Sequence, residues 1–430
     1  MSKKKRLRPR TMIVLGFVCI ILFGALLLML PVSLKDNISI SFIDSLFTST
    51  SAVCVTGLVT VDPGSTFSVF GQVVVIMLIQ IGGLGITSVG VIAIMLATGK
   101  INISSRKLAK EAWNISSGKG LFTVIRAVFY VTISFELFGA ICSFITFSKD
   151  FELSKAIGIS LFHSISAFNN AGFDVFGKGD SLAAYHDDVW LNLVTCGLII
   201  FGGLGFFVIK DWAMAAKFRR LSLHSKVVTL TTLGLLVGGT VLLKITEGMT
   251  WLSAFFHSTS LRTAGFATES MAGLANSTIM IMIVLMFIGA SPGSTGGGIK
   301  TSTFFVLVKN LISVAQNREC TAFKRTIPKR NTTKAMVVLT MALCTVLLSV
   351  FLVCILEPNL EFEQIVYEVV SGFGTVGISM GITPQLGTGS KIIIAITMFL
   401  GRLGPLTIVT IWQSKRISQA SYTNEEVNIG

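Results

Sequence analysis

The sequence predicts an all-α membrane protein, and three observations carry that prediction. Hydrophobic residues make up 52% of the chain and charged residues only 13%, against about a quarter charged in soluble domains. Eight apolar runs of roughly spanning length follow one another, at about 12–30, 71–97, 121–147, 190–212, 227–245, 278–312, 335–356 and 391–413. Four similar semi-apolar segments recur between these runs, each ending in a glycine-bearing stretch. Residues 1–430 therefore read as a single membrane domain.

The opening MSKKKRLRPR followed by Thr11–Leu30 resembles a signal peptide. Its apolar run is too long, however, and lacks a small-x-small cleavage site before Pro31, so it reads as a first membrane helix. Basic clusters then punctuate every second run: KKKRLRPR, Lys100–Lys119, Lys210–Lys226, Lys309–Lys334, and Lys415 with Arg416. Together they hold 25 of the 35 Lys and Arg. Positive residues favour the cytoplasmic side, which places both termini inside a cell membrane. The net charge of +14 is accounted for by that topology, and no nucleic-acid partner is expected. The opposite connections carry acids, among them Asp36, Asp44, Asp62, Asp150, Asp174, Asp188, Glu269 and Glu361. These are either solvated loops or a mouth that raises local cation concentration. The seven cysteines form no CxxC pair, and neither a disulfide framework nor a zinc site is indicated.

The outer connections contain a hidden repeat. LFTSTSAVCVTGL (46–58), LFHSISAFNNAGF (161–173), AFFHSTSLRTAGF (254–266) and VYEVVSGFGTVGI (366–378) align without gaps. The sixth column reads Ser51, Ser166, Thr259, Ser371, and the twelfth reads Gly57, Gly172, Gly265, Gly377. Each following run carries a glycine cluster: IGGLG (81–85), FGGLG (201–205), IGASPG (288–293) and LGRLGP (400–405). The unit is span, short helix, glycine loop, span, over about 11–97, 120–212, 226–312 and 334–413, with a tail at 414–430. Four such units around one axis bring four loops face to face.

Non-helical backbone at membrane depth is tolerated where it lines a cavity or is buried in protein. Loops that turn carbonyls inward replace the water shell of a dehydrated cation, and glycine supplies the backbone angles this needs. The candidate ion-binding residues are Val55, Thr56 and Gly57; Asn170, Ala171 and Gly172; Thr263, Ala264 and Gly265; and Thr375, Val376 and Gly377. The stretch GASPGSTGGGIKTST (289–303) resembles a phosphate-binding loop, but Ile299 separates the last Gly from Lys300 and no soluble α/β unit precedes it. No paired catalytic acids, metal cluster or nucleophile–base pair recommends an enzyme.

With VTGL, FNNAGF, RTAGF, FGTVG, IGGLG and FLGRLGPLT in one chain, the sequence resembles the membrane subunit of the Trk/Ktr/HKT superfamily of potassium transporters, most of all the Ktr branch. The resemblance covers nearly the whole chain. It implies four pseudo-symmetric M1–P–M2 repeats, eight spanning helices plus four pore helices around a central pore, paired as a homodimer in the lipid bilayer. It further implies a cytosolic ring of nucleotide-binding regulatory subunits; any nucleotide would sit on that partner, and this chain carries no cofactor. Potassium held by filter carbonyls is the implied cargo. Serine in place of the first filter glycine goes with sodium preference in plant relatives, so Gly57 favours potassium; a sodium-permeable or sodium-coupled transporter is the alternative. The family counterpart of 289–303 is an intramembrane gate, here Gly289, Ser291, Gly293, Ser294, Thr295, Gly296, Gly297, Gly298 and Lys300, with Arg402 beside it.

Several charged or polar residues fall inside the apolar runs. A mid-span Arg402 is costly unless it faces the pore or a partner; it is a tie to backbone carbonyls, or an electrostatic barrier and latch on the loop. Lys300 either joins that positive girdle or snorkels to the cytoplasm. Arg262 is expected behind the third loop as a brace, with Glu368 as its candidate counter-charge. Glu136, ten residues from Arg126 in one run, is expected to pair with protein inside the bundle, a role in ion coupling being the alternative. Asn169 and Asn170 brace the second loop or offer oxygens to the ion. His163 and His257 receive no role. Asn102–Lys119 reads as an interfacial helix or a partner-docking surface, and Lys324–Arg330 as a second such surface.

Overall fold

The computed structural model describes residues 9–85, 121–177, 181–215 and 217–404. Asn102–Lys119, the distal parts of the runs 71–97 and 391–413, and the tail 414–430 lie outside them. In chain order, α1 (Pro9–Leu28), α2 (Phe42–Cys54) and α3 (Val69–Leu84) lead to α4 (Leu121–Phe147), α5 (Leu153–Phe168), α6 (Val189–Leu204) and α7 (Phe206–Ala215). Next come α8 (Leu223–Glu247), α9 (Trp251–Ser260), α10 (Asn276–Phe287) and α11 (Thr301–Ala315), then α12 (Lys329–Leu356), α13 (Phe362–Gly374) and α14 (Thr388–Leu403). A two-residue antiparallel hairpin, β1 (Thr321–Ala322) with β2 (Arg325–Thr326), lies between α11 and α12.

Four helices, α1, α4, α8 and α12, are each long and apolar enough to cross a membrane. Many of their large apolar side chains are exposed, such as Phe23, Phe138, Val237 and Phe351. Such residues suit a lipid solvent and would be a liability in water. The other expected spans are shorter because glycine ends them. At the last glycine of each cluster the backbone turns to φ +80° (Gly85), +87° (Gly205) and +79° (Gly404), a conformation costly for any side-chain-bearing residue. The run 190–212, expected as one span, is therefore two helices bent by 96° at Gly205. The run 278–312 is likewise broken. α10 stops at Phe287, α11 begins at Thr301, and a parallel bridge between Ile288 and Ile299 pinches the loop between them.

The short helices α2, α5, α9 and α13 are the most buried elements. Polar caps start three of them or their successors: Ser41 Oγ accepts from Asp44 N (3.1 Å), Thr250 Oγ1 from Ser253 N (3.1 Å), and Asp188 Oδ1 from Leu191 N (2.9 Å). One contact recurs on their flanks. Ser49 Oγ donates to Ile21 O (2.7 Å), Ser164 Oγ to Glu136 O (2.6 Å) and Ser258 Oγ to Leu236 O (2.9 Å). In each case a glycine three residues further on, Gly24, Gly139 or Gly239, leaves room for the serine; a Cβ there would strike its Oγ.

The packing order closes on itself. α5 packs on α3, α9 on α6, α13 on α10, and α2 returns to α14, the last described helix. At this seam Lys391 Nζ meets Asp44 Oδ1 at 2.8 Å, with both side chains mostly buried. Replacing Lys391 with Met removes a charge-assisted bond worth about 1–2 kcal/mol. The expected result is a lower unfolding midpoint for the detergent-solubilised protein, read by intrinsic fluorescence; an unchanged midpoint would mean the seam does not rely on this pair.

Candidate pore constriction and the loop beneath it

Each short helix ends by unwinding into a loop of the same shape. Two residues before each glycine, the backbone is left-handed: Val55 (φ 58°), Asn170 (58°), Thr263 (81°) and Thr375 (51°). Asn tolerates this region, but for Val and Thr it costs roughly 1–2 kcal/mol each. Backbone bonds to the preceding helix end hold the strain. Thr56 N donates to Ser51 O (2.8 Å), Ala171 N to Ser166 O (2.8 Å), Val376 N to Ser371 O (2.9 Å) and Ala264 N to Ser260 O (2.8 Å). The glycines follow at φ 98° (Gly57), 69° (Gly172), 83° (Gly265) and 98° (Gly377).

The structure brings these loops together. A Cβ added at Gly57 would meet Ala171 O, at Gly172 Ala264 O, at Gly265 both Val376 O and Thr56 O, and at Gly377 Thr56 O. Four backbone carbonyls, those of Thr56, Ala171, Ala264 and Val376, thus each lie against the glycine of a neighbouring loop. Any side chain at these glycines would collide with the neighbour's backbone. Immediately outside is a cavity of about 430 Å³ lined by all four glycines and by Asp62, Asp174 and Glu269. Three of the acids expected at the outer mouth therefore reach it, while Asp44 and Asp188 are engaged elsewhere as ion-pair partner and helix cap.

The sixth-column hydroxyl has a role the sequence alone did not reveal. Ser51 Oγ accepts from Gly57 N (3.0 Å) and Ser371 Oγ from Gly377 N (3.1 Å), pinning the glycine amide away from the constriction. In the other two loops this fails: Ser166 Oγ has no partner, and Thr259 Oγ1 donates within its own helix to Phe255 O (2.8 Å). The third loop is one residue tighter, so Ser260 stands where Ser51 and Ser371 stand in theirs.

On the opposite side of the constriction lies the glycine- and serine-rich loop between α10 and α11. Gly297 N donates to Thr375 Oγ1 (2.9 Å), and a Cβ at Gly296 would strike Thr263 Oγ1. Thr295 Oγ1 donates to Phe168 O (3.3 Å), and Ser291 N and Thr295 N donate to Gly203 O and Gly202 O (3.1 and 3.3 Å). Gly289 N closes the loop onto Ile299 O (2.9 Å), while Gly293 and Gly298 turn it at φ 75° and 64°. Ser294 Oγ bonds Ser291 O (2.6 Å). Both cations grip this loop. Lys300 Nζ donates to Gly296 O (2.6 Å) and Gly297 O (3.3 Å), so it does not snorkel. Arg402 reaches Thr295 O with one terminal nitrogen and Gly82 O with the other, the latter also lying 3.3 Å from Gly83 O. Arg402 is thus a strap from α14 across the loop to the end of α3.

Other expected partners sort differently. Glu368 does not pair with Arg262; it accepts from Ser379 Oγ (2.7 Å) and Thr383 Oγ1 and so ties down the fourth loop's exit. Arg262 is buried at 6% exposure beside Ile200, Gly203, Thr232 and Thr259, with its Nε unpartnered. Its side chain thus lies among α6, α8 and α9. Arg126 lies over the Tyr130 ring (5.6 Å), while Glu136 accepts from Asn169 Nδ2 (2.9 Å) and Gln80 Nε2 (3.3 Å). Asn170 lies with its amide 3.2 Å from Thr263 Oγ1; with the oxygen toward that hydroxyl, its nitrogen reaches Phe168 O and Ile199 O. Both asparagine side chains brace backbone. His163 meets Thr195 Oγ1 (2.9 Å) and His257 meets Ser253 O (2.9 Å), as packing groups.

The family model described as TrkH, cation transport protein, matches residues 11–236 and 222–424. The chain is 39% identical to the Ktr system potassium uptake protein B of Bacillus subtilis (strain 168), covering 99% of this chain and 97% of that one. It is 36% identical to the potassium/sodium uptake protein NtpJ of Enterococcus hirae, covering 99% of this chain and 98% of that one. Among solved structures, the potassium transporter TrkH of Vibrio parahaemolyticus superposes with a TM-score of 0.74 at 18% identity, covering 96% of this chain and 88% of that one. That structural likeness speaks to the fold.

Proposed function

The chain belongs to the TrkH family of cation transport proteins, and from that membership together with its four glycine loops we propose that it carries potassium across the cell membrane. The fold is read as four M1–P–M2 repeats around one pore: α1–α3, α4–α7, α8–α11 and α12–α14, with α2, α5, α9 and α13 as the pore helices. The filter is the ring made by Val55–Gly57, Asn170–Gly172, Thr263–Gly265 and Thr375–Gly377. The observation that carries this reading is the set of carbonyls at Thr56, Ala171, Ala264 and Val376, each seated against a neighbouring loop's glycine at the floor of one acid-lined cavity. An ion descending from that cavity exchanges water for these oxygens.

The loop from Gly289 to Lys300 is the gate in this reading. Its position on the inner side of the ring, and its hold on Thr375, Phe168 and Gly203 through single hydrogen bonds, support a segment that blocks the path at rest and swings aside. Arg402 and Lys300 keep it closed in two ways. They bond its carbonyls, and their charges oppose a cation below the ring. The four glycine-to-carbonyl contacts leave no such freedom in the filter itself.

The proposed assembly is a homodimer with both termini cytoplasmic, regulated by a cytosolic nucleotide-binding ring. The Bacillus subtilis relative's description as part of a Ktr system supports a multi-component transporter. Sodium permeation is the second reading, favoured by the Enterococcus hirae relative's description as a potassium/sodium uptake protein.

Two experiments test the proposal. In cells lacking their own potassium uptake, the wild-type chain is expected to restore growth at low potassium, and Gly57→Ser to shift flux toward sodium. No rescue by wild type, or unaltered selectivity in the variant, would contradict the filter assignment. In proteoliposomes, Arg402→Ala is expected to raise potassium flux about ten-fold, equivalent to losing about 1.4 kcal/mol of closed-state preference. An unchanged flux would leave Arg402 as a packing tie.

A further inference from the structure

Glu136 is a buried acid without a counter-charge. It is 8% exposed, and both carboxylate oxygens accept only from amides: Oε1 from Asn169 Nδ2 (2.9 Å) and Oε2 from Gln80 Nε2 (3.3 Å). Asn169 Nδ2 also donates to Gln80 Oε1 (2.9 Å), closing a three-membered network between α3, α4 and the end of α5. Among the described residues no Lys, Arg or His forms an ion pair with it. Arg126 is turned to Tyr130, and His163 on α5 is turned to Thr195.

Packing does not require an acid here. The position is defined by its own carbonyl, which accepts from the pore-helix serine Ser164; in the first and third units the matching carbonyls belong to Ile21 and Leu236. Two apolar side chains fill the same place, and an uncompensated carboxylate in a membrane bundle costs stability relative to them. Asn169 in turn directly precedes the loop residues Asn170, Ala171 and Gly172. Its counterparts three residues before the other glycines are Cys54, Arg262 and Gly374, so the amide that links an acid to the loop is particular to the second unit; the buried Glu368 of the fourth unit is held by hydroxyls beyond its glycine instead.

We propose that Glu136 sets the cation affinity of the filter, its charge being delivered to the back of the second loop through Asn169 and Gln80. The inference rests on the filter reading above and adds a determinant outside the loops. The carboxylate lies within roughly 15 Å of Gly172, the reach of three residues plus an asparagine and a hydrogen bond. In a medium of intermediate effective dielectric, one charge at that range changes ion binding by about ten-fold.

The test uses the full chain in proteoliposomes, with rubidium or potassium uptake measured against concentration for wild type, Glu136→Gln and Glu136→Leu. Both variants are expected to raise the half-saturating concentration about ten-fold while leaving the maximal rate within about two-fold. Glu136→Leu is also expected to melt no lower than wild type, because leucine is what the third unit carries. Uptake that saturates at the wild-type concentration in Glu136→Gln, or loss of folded protein in both variants, overturns the proposal and leaves a structural brace. A wild type that takes up neither ion would instead remove the transport reading itself.

Discussion

Four carbonyl oxygens of like partial charge are held side by side at the centre of this protein, and the rest of the fold exists to keep them there. Left alone, such dipoles repel. Here each is fixed by a left-handed residue just upstream and a glycine just downstream, so the chain cannot relax without breaking the helix-end bonds to Ser51, Ser166, Ser260 and Ser371. The strain at Val55, Thr263 and Thr375 is local, and the burial of the short helices sustains it. In the filter reading proposed above, a dehydrated cation relieves the repulsion and is a structural member of the constriction as well as its cargo.

Rigidity above and looseness below follow from one residue type used in two ways. In the loops glycine removes side chains so that backbones can abut. Between α10 and α11 it removes them so that thirteen or so residues can lie across the side of the ring opposite the cavity, hydrogen-bonded to Phe168 and Thr375 at the second and fourth loops and packed against Thr263 of the third. The fourth direction is spanned by Arg402. It occupies the place in LGRLG that glycine holds in IGGLG and FGGLG, where Gly83 and Gly203 lie against Asn169 and Asn170. One unit in four has thus exchanged close backbone packing for a charged strap.

Much of this was legible in the sequence, because repetition exposes what a single copy hides. The glycine column and the long run interrupted by GASPGSTGGG marked the loops and the broken helix. Other features were not legible, for physical reasons. Apolar run length alone does not mark the turns at Gly85, Gly205 and Gly404, so 190–212 reads as one span although its two helices meet at 96°. Glu368 and Arg262 read as a pair because both are charged and near glycines, yet hydroxyls eleven and fifteen residues along its own chain satisfy Glu368. Gln80 and Glu136 meet from 56 residues apart, a pairing that only the packing of α3 on α4 and α5 brings about. The third loop's tighter turn displaces Thr259 by one register, which no column count reveals.

The central claim is most directly tested by growing crystals with rubidium in place of potassium and recording anomalous diffraction at the rubidium edge. The account predicts a peak on the axis shared by Gly57, Gly172, Gly265 and Gly377, within coordination distance of the Thr56, Ala171, Ala264 and Val376 oxygens. Strong rubidium peaks elsewhere in a transport-competent protein, with none at that ring, would contradict it.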